Sequence, residues 1–290
     1  MSDVTGREND GDSPLSRVLL QLEPRTDDTL DGTIVATIVA TGFPSLDRAL
    51  QGGFRRGDLV VLGGDAGSGV SSLALGIALR CIPRALLVTG EMHEERVFER
   101  ALAISARVAL ESIRHRVLSD EERARITMIA PGVAEWGPVV DTLTHGGTDL
   151  LWTAHDRAIG APLVIVDGIE SLLARDFDVP DALGGVLLEL KRFALERNVA
   201  VLALSHLPGL DRARHDKRPR LSDFGARGAA GVHADLVLGL FREEQYDADL
   251  AVSGAAELVL LKNRNGALEY VDLYFATSTL RFQDVLDPDS

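Results

Sequence analysis

Gly64-Asp65-Ala66-Gly67-Ser68-Gly69-Val70-Ser71 follows the spacing of the phosphate-binding loop G-x-x-x-x-G-K-[ST], with valine at position 70 where that pattern has lysine. Glycines at these spacings let backbone amides approach phosphate oxygens, and a helix opening at Val70 would turn its positive N-terminus toward the anion. Ser71, followed by Ser72, supplies the hydroxyl that would ligand Mg²⁺. Taken alone, such a loop also fits a glycine-rich strand-to-helix turn that serves packing. Two more elements bear on the choice. Leu163-Val164-Ile165-Val166-Asp167 is an apolar strand ending in an acid, and Asp167 is the carboxylate that would hold Mg²⁺ through water. Leu86-Leu87-Val88-Thr89-Gly90-Glu91 puts Glu91 at a strand's C-terminal edge, where ligands bind in open α/β sheets. Glu91 either polarises an attacking water or caps a helix beside Glu94 and Glu95. Three such elements in this order point to a nucleotide-binding fold.

The elements that must position these residues alternate in type. Apolar strands are expected at residues 59–62, 85–88, 163–166, 199–204, 236–240 and 257–261, with a late pair around 270–282. Helical stretches fall at 71–79, 94–106, 119–129, 148–159 and 182–197. This is the pattern of an α/β fold with a mostly parallel central sheet flanked by helices. Residues 1–40 are expected to be an acidic, largely flexible segment, and 41–290 the folded domain. Within that segment Ser13 and Pro14 can open a short helix whose Leu15, Val18, Leu19 and Leu22 share one face. Such a helix needs a docking surface, on its own domain or on a neighbouring subunit.

Composition excludes several classes. The 290 residues carry a formal charge of −14, which argues against bulk-charge coating of nucleic acid. Only three of the 30 basic residues are lysine: Lys191, Lys217 and Lys262. A single cysteine, Cys81, permits neither an intramolecular disulfide nor a cysteine zinc site and reads as a small buried hydrophobe. The longest apolar run, residues 199–204, falls far short of the ~18 residues that span a bilayer. A cytoplasmic protein with no membrane partner is expected. Trp136 and Trp152 read as core or interface packing, and the histidines show no metal-ligand spacing.

Segments along the chain resemble a known family. Thr41-Gly42-Phe43, Leu46-Asp47 and Gly52-Gly53-Phe54-Arg55-Arg56-Gly57-Asp58-Leu59 look like the lead-in to RecA-type ATPase cores, particularly the C-terminal motor domain of DnaB-type replicative helicases. Glu91-Met92 with Arg100, Leu190-Lys191 with Ala194, and Ala203-Leu204-Ser205-His206-Leu207 are similar to that family's elements. So are Asp216-Lys217-Arg218-Pro219, Ser222-Asp223, Ala234-Asp235, Phe241-Arg242-Glu243-Glu244-Gln245-Tyr246 and Lys262-Asn263-Arg264-Asn265-Gly266. The resemblance runs from about residue 41 to 283. It implies a ring, usually of six subunits, with ATP at each interface and single-stranded DNA in the centre. By position, Gly64 to Ser72 would hold phosphates, Ser71 and Asp167 would serve Mg²⁺, and Glu91 would activate water. His206 would take the γ-phosphate-sensing place of a glutamine, and Lys262 and Arg264 would reach a neighbour's ATP as charge-neutralising fingers.

Three departures stand beside the resemblance. Val70 replaces the lysine that contacts the β- and γ-phosphates, Asp65 adds a like charge, and Arg56 and Arg80 are the arginines the sequence offers as substitutes. Where the family has Asp-Leu-Arg-Glu-Ser-Gly in its DNA loop, this chain has Asp223-Phe224-Gly225-Ala226-Arg227-Gly228. That leaves Arg227 and Gly228 for a weaker DNA grip. About forty residues precede the resemblance, so the family's separate helical N-terminal domain is not expected in this stretch, and the leucine island stands as a remnant of its linker helix. The expected function is an ATP-dependent DNA helicase or translocase in replication or repair, forming a ring or filament, with weakened or conditional ATPase. Two alternatives stay open: a catalytically impaired assembly module, and a RadA-like or KaiC-like ATPase with other partners.

Overall fold

The structure, a computed structural model, describes residues 37–143, 147–173, 179–225, 228–247 and 251–286. The leucine island at 13–22 and Arg227 lie outside the described residues. A short ribbon pairs Ile38–Val39 (β1) antiparallel with Phe54–Arg55 (β2), and the helix Pro44–Ala49 (α1) lies between them in sequence. Next come Leu59–Gly64 (β3), Val70–Ala78 (α2), Leu86–Thr89 (β4) and Glu94–Ala106 (α3). They are followed by Leu110–His115 (α4), Asp120–Trp136 (α5), Val139–Thr142 (β5), Asp149–Arg157 (α6) and Leu163–Asp167 (β6). Val179–Arg197 (α7), Ala200–Ser205 (β7), Ala229–His233 (α8) and Leu236–Phe241 (β8) complete the crossovers. Ala255–Asn263 (β9), Tyr270–Ala276 (β10) and Arg281–Asp284 (β11) finish the chain's described strands.

Among the described residues the main sheet has nine strands in the order β11-β10-β9-β8-β3-β7-β6-β4-β5. Pairing is parallel from β5 through β8 and antiparallel from β8 outward. Strands β3, β4, β6, β7 and β8 are buried at every position, as apolar runs must be when helices cover both faces of a parallel sheet. On one face Leu73 and Ile77 of α2 and Val97 and Ile104 of α3 pack on Leu62, Leu202 and Leu238. On the other, Leu151 of α6 and Leu187, Leu190 and Phe193 of α7 pack on Leu59, Val61, Val164 and Val201. In β10, by contrast, every second residue is exposed, because only one face of the antiparallel extension is covered.

The expected elements are present with shifted ends, and several short ones are additional. β5 is half-buried at all four positions because it forms the sheet's edge, and its Asp141 breaks the apolar run that marks the central strands. Helix α5 starts at a capping box, in which Ser119 accepts from the Glu122 amide at 3.2 Å and Glu122 accepts from the Ser119 amide at 2.8 Å. It then runs through Pro131 to Trp136, past the expected end at 129. Trp136 is 57% exposed, so it is not core packing within this chain, whereas Trp152 packs edge-on against Phe193 at 5.0 Å. Cys81 is buried and burial pushes its thiol up to about 11, as a structural hydrophobe requires. No helix of the described residues is long and apolar enough to cross a membrane.

One buried carboxylate ties distant segments together. Asp235, 1% exposed, accepts from Lys191 Nζ and Arg264 Nη1, both at 2.6 Å, and from the Leu59 amide at 2.9 Å. It thereby fastens α7, the start of β3 and the end of β9 at the sheet's lower edge. Removing one partner of a buried pair strands the other charge, so Asp235→Ala is expected to cost about 3–5 kcal/mol, read from urea unfolding curves.

Candidate active site

The crevice above the C-terminal ends of the parallel strands holds a cleft of about 370 Å³. Its floor is the loop between β3 and α2, residues 64–69. Gly64 has no room for a side chain, since a Cβ there would lie 2.3 Å from Ser68 Oγ. Gly67 and Gly69 adopt φ of +81° and +103°, which glycine reaches without strain. Val70, Ser71 and Ser72 are the first residues of α2, so their amides have no acceptor within the helix and form an anion-binding end. Ser68 is buried with its hydroxyl unpartnered, and Ser72 is buried beside it. Val70 is half-buried and packs against the core, so this side chain does not extend as a lysine would.

The loop is gripped from outside. Gln245 Nε2 donates to the Ala66 carbonyl at 3.1 Å, and Arg242 Nη1 donates to the Gly67 carbonyl at 3.1 Å. Asp65 accepts from the Ala66 amide at 2.9 Å, from the Tyr246 hydroxyl at 2.9 Å and from Arg212 through both Nε and Nη2. Burial alone would raise this carboxyl, but the bonds from Arg212 and Tyr246 prevail and hold it below the usual range. The expectation that Asp65 adds a free like charge near phosphate is therefore corrected, because Arg212 neutralises it. The segment 241–246 was legible only as a resemblance, and its work is to clamp this loop.

Opposite the loop, Ser71 Oγ donates to Asp167 Oδ1 at 2.9 Å. Asp167 is 5% exposed at the end of β6, and Glu91 and His206 follow β4 and β7 on the same edge. Glu91 Oε1 lies 3.5 Å from His206 Nε2 and packs on Gly168, where a Cβ would approach it to 2.7 Å. Residue His93, without a side-chain bond, is the N-cap of α3, so Glu91 does not fill the helix-cap alternative. The cleft therefore brings together the loop, Ser71, Glu91, Asp167 and His206. It also includes Arg100 of α3, to which spacing gave no role.

Asp167 is pushed up to about 6, mainly by burial and further by the Glu91 charge, against the Ser71 bond, Arg100 and His206. Because the folded chain holds a proton that an unfolded aspartate near 3.8 has released, this group favours folding below about pH 4, and that contribution is lost as pH rises through about 6. In urea unfolding across this range, Asp167→Asn is expected to flatten the decline and to be about 1–3 kcal/mol more stable than wild type at pH 7.

Other expected residues lie elsewhere. Arg80 stacks over Phe43 at 4.6 Å and donates to the Gly76 carbonyl, and neither it nor Arg56 lines the cleft, so both are corrected as substitutes for the missing lysine. Lys262 and Arg264 sit at the opposite end of the sheet, because β9 runs antiparallel to β8 and ends beside Leu236. Lys262 Nζ donates to the carbonyls of Gly231 and Ala234 on α8. Gly228 precedes α8 with φ +83° and donates its amide to the Gly225 carbonyl at 3.0 Å.

The donor set suits Mg²⁺. One hydroxyl and one carboxylate in contact fit an ion that takes most of its ligands from phosphate oxygens and water. No group of three or more His, Cys, Asp or Glu gathers at metal-holding distance among the described residues.

A parallel sheet with a glycine-rich loop at its central strand, facing an acid on β6 and another after β4, defines a RecA-like ATPase fold. Residues 38–284 match the family model of the DnaB-like helicase C-terminal domain, and the chain belongs to that family. It is 28% identical over 261 residues to the replicative DNA helicase DnaC of Bacillus subtilis (strain 168), covering 85% of this chain and 56% of that protein. To the replicative DNA helicase DnaB of Geobacillus stearothermophilus it is 27% identical over 266 residues, covering 87% and 57%. The chain thus spans little more than half the length of these relatives. Among solved structures, an isolated ATPase domain superposes with a TM-score of 0.83 at 22% identity, covering 96% of this chain and 99% of that one. A DnaB-like replicative helicase described with its interactions with primase gives the same TM-score and identity, covering 94% of this chain and 68% of that one.

Proposed function

We propose that residues 41–290 are an ATP-driven motor that assembles as a ring or filament and acts on single-stranded DNA in replication or repair, with 1–40 as a separate acidic segment. The observation that carries this is the convergence of the loop with Ser71, Glu91, Asp167 and His206 in one cleft. The loop amides and the α2 N-terminus bind the phosphates, and Ser71 and Asp167 hold Mg²⁺, which neutralises charge on the β- and γ-oxygens when bound. Glu91 orients the attacking water and accepts its proton at a carboxylate oxygen. His206, at 3.5 Å from Glu91, reports the terminal phosphate to β7. Lys262 and Arg264 cannot serve their own chain's cleft from the far edge of the sheet, so they complete the site of a second copy. The base of the DNA loop is held by Arg214, which donates to both oxygens of Asp223 at 2.9 and 2.8 Å. With Gly225 in place of the family's arginine, and with Arg227 and Gly228 as the remaining contacts, DNA binding is weak. Replication or repair proteins are the expected partners.

The test is phosphate release from Mg-ATP with single-stranded DNA, comparing wild type with Val70→Lys. Wild type is expected to turn over, and the restored lysine to raise the rate by about 10² to 10³. Release by Val70→Lys alone would replace the motor with an impaired assembly module that keeps the fold.

A further inference from the structure

We infer that Arg100 carries the phosphate-binding charge that the loop lacks at Val70, by bonding the terminal phosphate of the nucleotide. The inference rests on the nucleotide reading of the cleft. Among the described residues lining that cleft, Arg100 is the one with a permanent positive charge. The lining also holds Asp65, Glu91, Asp167 and Glu170, so a polyphosphate meets a surplus of like charge there. Asp65 is already neutralised by Arg212, and Arg242 is committed to the Gly67 carbonyl and Glu244, which leaves Arg100 as the cation available to a ligand.

The arginine itself is under-satisfied. Its Nε is buried with no hydrogen-bond partner. Burial first, then the charges of Arg114 and Arg96, disfavour its cationic form, while Asp167 and Glu91 favour it as nearby charges rather than as hydrogen-bond partners. A partly desolvated guanidinium without a matching acceptor is costly, and an anion between it and the loop removes that cost. Arg100 stands on α3 beside the stripe Val97, Ala101 and Ile104, which is buried against the sheet and fixes the helix. The planar fork of a guanidinium suits two phosphate oxygens at once, so an arginine arriving from a helix can replace a lysine arriving from the loop.

Calorimetric titration of Mg-ATP and Mg-ADP into wild type, Arg100→Ala, Val70→Lys and the double variant tests this, with thermal melting to show that each is folded. Wild type is expected to bind Mg-ATP. Arg100→Ala is expected to weaken Mg-ATP by about ten- to a hundredfold, and Mg-ADP by less. Val70→Lys combined with Arg100→Ala is expected to recover wild-type affinity. Equal affinity of wild type and Arg100→Ala overturns the proposal and leaves the nucleotide site standing. So does a folded double variant that fails to recover, because the deficit is then not a missing phosphate charge. Equal losses for ATP and ADP overturn the assignment to the terminal phosphate. Binding by Val70→Lys with none by wild type overturns both this proposal and the nucleotide reading of the native chain.

Discussion

Arg264→Ala is expected to lower ATP turnover by about 10³-fold or more while leaving the unfolding curve nearly unchanged. The expectation follows from where β9 ends. Arg264 projects from the sheet edge opposite the cleft, its side chain 55% exposed, and bonds Asp235 at 2.6 Å. Losing that half-exposed contact costs little, because Lys191 still neutralises Asp235 from 2.6 Å. In a neighbour's site, however, the guanidinium would meet charge that develops only in the transition state, where a finger has its largest effect. Phosphate release and urea unfolding on the same preparation separate the two consequences. Undiminished turnover would sink the finger assignment.

Glu91→Gln should reduce turnover by about 10² to 10⁴ and leave Mg-ATP affinity within about threefold. The substitution keeps the shape of the side chain beside Gly168 and removes the group that takes the water's proton. Its carboxylate is 39% exposed and touches no residue of the phosphate loop's clamp, so binding does not depend on it. Single-turnover measurements with ATP already bound isolate the chemical step. A variant that hydrolyses ATP at the wild-type rate would leave Asp167 and His206 without the base this account gives them.

Much of the fold was legible because burial on both faces writes itself as unbroken apolar runs. Residues 163–166 and 199–204 read as central strands for this reason, and β6 and β7 are buried throughout. The edge strand β5 and the short helices α1, α4 and α8 carry no such signal, since half-buried segments of four to six residues fit several patterns. The candidate site shows the same division. The loop, Asp167 and Glu91 are recognisable from local spacing around a strand end. The clamp is not, because Tyr246 reaches Asp65 across 181 residues, through a contact that exists only once β8 lies beside β3. For the missing lysine, arginines close in sequence were the wrong guide. Arg80 lies in the turn after α2 and bonds back to the Gly76 carbonyl, whereas Arg100 enters the cleft from a helix two elements later.

The claim that holds this account together is that the catalytic site is shared between two copies of the chain. Mixing Glu91→Gln with Arg264→Ala tests it most directly, because each variant retains the half-site the other lacks. Each alone is expected to be inactive. An equimolar mixture, dissociated and reassembled, should recover turnover toward about a quarter of the wild-type level, the share of random interfaces that pair an intact Glu91 with an intact Arg264. A mixture that stays inactive, when cross-linking shows that the two variants have co-assembled, would contradict the shared site.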